Sequence, residues 1–177
     1  MTQYATLDGT SDAGGWTRPD MGSPIHTWAD TTTAGADYIQ ATTYGGSVGP
    51  AIFTLSNVDD PETASDHKIK YKAQGVVGGM SFGSGPALTI ALYEGTTERH
   101  STTNSSLSTS SGGTDYTITL SESEANSITD YDNLLIRLTM GGDMEESVYI
   151  YVAYFECPDA EEEEEAVTSP AFLLFMG

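Results

Sequence analysis

Three histidines (His26, His67 and His100), one cysteine (Cys157) and two short acidic segments are the side chains of widest chemical range in this chain. The histidines share no metal-ligand spacing and none has a cysteine beside it. A single cysteine supports neither an intrachain disulfide nor a cysteine-rich zinc site. The sequence holds no nucleophile elbow, so a Ser–His–acid hydrolase would have to gather its groups from distant segments. Asp8-Gly-Thr-Ser-Asp12 and Asp59-Asp60-Pro-Glu62 each offer part of a calcium shell, which takes roughly six to eight oxygen ligands. Neither follows the EF-hand spacing, and Asp with Gly builds turns without any metal. The expectation is a non-enzymatic protein with no catalytic residue, no metal and no cofactor.

Binding chemistry is better represented. Lys68, Lys70 and Lys72 stand at alternate positions and make up half of the chain's 6 basic residues. They can meet acids on a neighbouring strand, meet an acidic patch of another subunit, or protect a sheet edge from unwanted pairing. Trp16 and Trp28 cluster with Tyr4, Tyr38 and Tyr44 in the first quarter, where aromatic faces beside acids and amides would suit a sugar. Burial is the first use of a large aromatic, and Trp16 is assigned to the core. Against 26 acidic residues the net charge is −20. Such a charge argues against binding to nucleic-acid phosphates and to anionic membrane surfaces. No run approaches the ~20 apolar residues that span a bilayer. The first 25 residues carry neither a basic start nor an apolar run, so no signal peptide is expected.

The elements that position these residues read as strands. Period-2 alternation marks 66–74, where His67, Ile69, Tyr71 and Ala73 oppose the lysines. It also marks 86–93 (Leu88, Ile90, Leu92), 114–120 (Tyr116, Ile118, Leu120) and 133–139 (Leu134, Ile136, Leu138). Segment 147–155 is apolar or aromatic on both faces: Val148, Ile150, Val152 and Tyr154 against Tyr149, Tyr151, Ala153 and Phe155. Shorter alternations lie at 4–7, 37–41, 51–55 and 97–102. Ser121-Glu-Ser-Glu124 has the form of a capping box and predicts a short helix ending near Ile128, with Ala125 and Ile128 inward. The sum is an all-β, jelly-roll-like β-sandwich of about eight strands over residues 1–158, with one short helix. Residues 159–177 form an extended tail outside it: an acidic linker, then an apolar peptide.

The order of these features resembles a family of small jelly-roll β-sandwich proteins encoded among the virion genes of tailed bacteriophages. The likeness is carried by Gly14-Gly15-Trp16-Thr17, Ala36-Asp37-Tyr38-Ile39 and Leu88-Thr-Ile-Ala-Leu-Tyr-Glu-Gly95. It continues through Tyr116-Thr-Ile-Thr-Leu-Ser-Glu-Ser-Glu-Ala125, Ile128-Thr-Asp-Tyr-Asp-Asn-Leu134 and Val152-Ala-Tyr-Phe-Glu-Cys-Pro158. The resemblance implies a virion location and a structural role: capsid decoration or cement protein first, head-fibre or tail accessory protein otherwise. The alternative is a host-attachment module that binds cell-surface glycan; a carbohydrate-active accessory domain ranks third. The implied partners are phage structural proteins, the major capsid protein or neighbouring virion subunits.

Three features point to assembly. Five consecutive glutamates, 161–165, repel one another and favour an extended spacer. They lead to Phe172, Leu173, Leu174, Phe175 and Met176, an apolar peptide fitted to dock on a neighbour. The doubly apolar segment 147–155 offers Tyr149, Tyr151 and Phe155, and the glycine-rich loop 78–85 offers Met80 and Phe82. The expectation is a homo-oligomer, with a homotrimer as its form.

Overall fold

The computed structural model describes residues 1–19, 25–28, 37–78 and 85–160. Seven strands make up the fold: β1 (Thr2–Asp12), β2 (Ile39–Leu55), β3 (Lys68–Val77), β4 (Ala87–Glu94), β5 (Thr97–Asn104), β6 (Thr114–Thr119) and β7 (Leu134–Pro158). All pairings are antiparallel and belong to one hydrogen-bonded sheet. Among the described residues the chain is all-β with one short α-helix, as its alternation and the Ser121–Glu124 capping box predict.

The sheet curls into two layers because β1, β2 and β7 are long enough to serve both. In the first layer the order is β5, β4, the start of β7, the end of β2 and the end of β1. In the second, β6 and β3 line one side of the end of β7, and the starts of β2 and β1 line its other side. The inner faces enclose one core, in which Leu7, Phe53, Ile69, Leu88, Ile90, Ile136, Leu138, Ile150 and Phe155 are all 0–2% exposed. The inward set foreseen for β3, β4 and the start of β7 is buried as expected, and Ile118 packs against it half-buried.

Nine candidate strands become seven. Segments 37–41 and 51–55 are the two ends of β2; segments 133–139 and 147–155 both lie in β7. Glycines between them face each other across the ribbon: Gly46 pairs with Gly142, and Ser47 with Gly141. The register shifts between Thr43 and Tyr44 and between Val48 and Ala51. Such irregularities bend a paired ribbon without ending it. Gly49, at φ 115°, runs so close to β7 that a Cβ there would lie 2.7 Å from the Leu138 carbonyl oxygen. Trp16, 2% exposed, lies beside this glycine and belongs to the core.

A second irregularity lies in β7 itself. Lys72 pairs with Val152 and Ala73 with Ile150, which leaves Tyr151 as an extra residue. The bulge reverses the alternation: Val148 and Ile150 point inward before it, Ala153, Phe155 and Cys157 after it. Phe155 is therefore a core residue, 0% exposed. This corrects the expectation that it shares an outer contact face with Tyr149 and Tyr151.

Helix α1 (Glu122–Ala125) starts at the expected capping box. The Ser121 hydroxyl accepts from the Glu124 backbone N–H, and the Glu124 carboxylate accepts from the Ser121 backbone N–H at 2.7 Å. Ala125 and Ile128 are buried beneath it. The Asp130 carboxylate then caps a 3-10 turn, Tyr131–Asn133, by accepting from the Asp132 backbone N–H.

Candidate functional site

The outer face of the second layer carries the lysine stripe. Lys68 is cross-strand partner to Glu156, Lys70 to Tyr154 and Lys72 to Val152; Tyr4 of β1 faces Glu156 from the far side. The Glu156 side chain is only 9% exposed and lies 2.5 Å from Lys70 Nζ and 3.6 Å from Lys68 Nζ. Asp66 reaches Lys68 as well, at 3.3 Å. Its hydrogen bond to Glu156 holds the Lys70 ammonium above the usual lysine value. Two of the three lysines, Lys68 and Lys70, are thus paired with acids within their own sheet, the first of the three readings the spacing allows. Tyr4 and Tyr154 meet edge to face at 5.9 Å, and a shallow groove of about 240 Å³ lies between Lys70, Asp115, Thr117 and Tyr154.

Two of the expected partner residues sit further along this face. Tyr149 is half-buried, and the Tyr38 ring stacks on it at 4.5 Å and 19°. Tyr151 is 6% exposed, donates its hydroxyl hydrogen to Gln74 Oε1 at 2.7 Å, and lies against Tyr38 at 5.6 Å. Gly113 makes room for it: a Cβ there would come within 2.8 Å of the Tyr151 ring. Burial raises the phenol pKa of both Tyr149 and Tyr151. Tyr149 is the more exposed of the pair. Met80, Phe82, Phe172, Leu173, Leu174, Phe175 and Met176 lie outside the described residues.

The imidazoles fall in three separate settings. His67 is fully buried, with Nδ1 donating to the Ser65 carbonyl at 2.9 Å and Nε2 accepting from the Tyr131 hydroxyl at 2.7 Å. Burial lowers its pKa. His26 Nδ1 lies 3.1 Å from Thr10 Oγ1. His100 Nδ1 lies 2.8 Å from Glu124 Oε1, and the Ser121 hydroxyl donates to the other oxygen of that carboxylate at 2.6 Å. The order is Ser–Glu–His, with the hydroxyl on the carboxylate and not on the imidazole that would have to activate it. Hydrogen bonds from Ser121, then His100, hold the Glu124 carboxyl at about 2. Cys157 is buried, and desolvation pushes its thiol up to about 12. Among the described residues no three His, Cys, Asp or Glu side chains converge as metal ligands. Asp8 and Asp12 belong to strand β1, where the Asp12 carboxylate accepts from Gly14 N–H; the Asp60 carboxylate accepts from Glu62 N–H.

A feature not foreseen lies on the outer face of the first layer. Arg137 rises from β7 with its guanidinium carbon 3.7 Å from the centroid of the Tyr93 ring on β4. Its Nε is buried and has no hydrogen-bond partner among the described residues. Ion pairs within those residues include Lys68 with Asp66 and Glu156, Lys70 with Glu156, Arg99 with Glu94, and His100 with Glu124. The guanidinium borders a hollow of about 200 Å³. The alternation of 133–139 places Arg137 outward, but only the pairing of β4 with both β5 and β7 makes the hollow. Neither the known protein-family models nor the curated proteins yield a match to this chain.

Proposed function

We propose that this chain is a non-enzymatic structural subunit of a tailed-phage particle, and that its role is to decorate and cement the capsid. The observation that carries the reading is the outer face of the second layer, a continuous stretch of four strands bearing Tyr4, Tyr149, Tyr154 and a lysine stripe in which Lys68 and Lys70 are paired with acids. Two of its three lysines are already matched by Asp66 and Glu156. That combination suits a broad contact with another subunit, where tyrosines supply area and paired charges set register. Within this proposal residues 172–176 are the anchor to the neighbouring subunit, and the domain assembles as a homo-oligomer. Quantitative mass spectrometry of particles made by the genome that encodes the chain tests it. A copy number in the hundreds, matching lattice symmetry, supports capsid decoration. A few copies per particle move the chain to tail or fibre, and absence from purified particles overturns the proposal. Removal of residues 166–177 is expected to abolish attachment while leaving the melting temperature unchanged.

A second reading, a glycan-binding module for host attachment, is favoured by one observation: the hollow beside Arg137, where a cation and hydroxyl-bearing side chains meet.

A further inference from the structure

We propose that the hollow on the outer face of the first layer binds a carboxylated sugar, a uronic- or sialic-acid unit of a glycan, with Arg137 holding the carboxylate. The inference rests on the glycan reading above and names its site and ligand class. The guanidinium is half-buried, and its Nε–H is removed from water with no acceptor supplied by the described residues. Nε is closed to solvent, so the carboxylate falls to the two terminal Nη groups, which can offer it two parallel hydrogen bonds. The Tyr93 ring, 3.7 Å from the guanidinium carbon, supports the fork from beneath. The remaining walls call for hydroxyls. Ser101 and Thr139 offer side chains that both donate and accept. Glu98, held by the Tyr93 hydroxyl at 2.8 Å, is an acceptor at the rim. Ala91 and Pro50 supply apolar surface for the ring carbons. An acidic peptide would satisfy Arg137, but it would set its carboxylate beside Glu98 with no hydroxyl to donate there. A carboxylated sugar satisfies both from one ring.

The test is titration of the full chain with trigalacturonate and with sialyllactose, read by calorimetry and by the NMR resonance of the Arg137 Nε–H. Maltotriose, lactose and a glutamate-rich peptide are the comparison ligands. The expected result is binding of at least one acidic sugar, about tenfold or more weaker for its neutral counterpart, with a shift of the Arg137 Nε–H signal. Arg137→Gln is expected to abolish binding at an unchanged melting temperature. Ser101→Phe fills the hollow from an exposed strand position, leaves the guanidinium in place, and should abolish binding as well. No binding of either acidic sugar up to about 10 mM overturns the proposal. So does binding that survives both variants, equal affinity for neutral sugars, or preference for the peptide. None of these outcomes bears on copy number per particle, so the site and the virion role fail independently.

Discussion

β7 runs through both layers, and its two halves solve the same problem differently. The first half keeps strict alternation, with Leu134, Ile136, Leu138 and Met140 inward and Leu135, Arg137 and Thr139 outward. Its inner face is aliphatic apart from the Met140 thioether, and its outer face leaves a guanidinium without an ionic partner among the described residues. The second half breaks alternation at Tyr151, buries Phe155 against the His67 imidazole at 5.8 Å, and pairs its outer carboxylate with two lysines. The lesson is that charge counted along a sequence is not charge available for binding. Two of three clustered lysines are matched by acids in place, whereas one arginine among leucines has no acid partner among the described residues.

The largest expected effect separates the two faces of the second half. Phe155→Ala should destabilise the fold by about 3–5 kcal/mol, and Tyr149→Ala by about 1 kcal/mol or less, both read from urea unfolding. Equal losses would show that the bulge does not reverse the alternation.

Next comes the polar element in the second half's core. Tyr131→Phe removes the donor to His67 Nε2 and leaves that buried nitrogen unmet, at a cost of about 1–3 kcal/mol. The same imidazole predicts a pH dependence. Its folded pKa lies below the ordinary 6.5, so the unfolded chain takes up the proton first. Stability should hold above about pH 6.5 and fall as pH drops from there toward the lowered folded value. Hydrogen exchange through this window should rise at 146–157 before it rises at 134–141. Simultaneous loss would make the halves one cooperative unit and end the contrast.

On the outer faces, Glu156→Gln should cost about 1–2 kcal/mol, between an exposed pair and a buried one, because it strands Lys70 and leaves Lys68 with Asp66 alone. It should also turn the stripe into a true cationic patch, seen as new salt-sensitive retention on a cation exchanger. Arg137→Gln, by contrast, is expected to leave stability unchanged.

A smaller loss than that of Glu156→Gln tests the contact between layers. α1 follows β6 of the second layer and reaches β5 of the first through Glu124 and His100. Ser121→Ala should cost about 1 kcal/mol by loss of the cap. The Glu124 carboxyl is depressed to about 2 in the folded chain, so its contribution is present above about pH 4.5 and lost as pH falls toward 2. The wild-type advantage over Ser121→Ala should shrink through that window in thermal melts.

The sequence alone determined what depends on neighbours a few residues apart. Alternation placed His67 inward just before β3, Ile69, Tyr71 and Ala73 inward on it, and Leu88, Ile90 and Leu92 inward on β4. The Ser121–Glu124 cap, the inward Ala125 and Ile128, and the burial of Trp16 were legible in the same way, because a cap closes within one turn and a large aromatic seeks the core. Tertiary structure decided what depends on strands distant in the chain. The bulge at Tyr151 exists only in the register of β7 against β3, and it moved Phe155 from the expected contact face into the core. The glycines near 46 and 142 end no strand, because each faces the other across the ribbon. Glu156 neutralises lysines that stand nearly ninety positions earlier in the chain, and the hollow at Arg137 needs β4 between β5 and β7. Period-2 patterning says which way a side chain points until a bulge intervenes; it carries no information on what stands beside it, since that is fixed by pairing across the sheet.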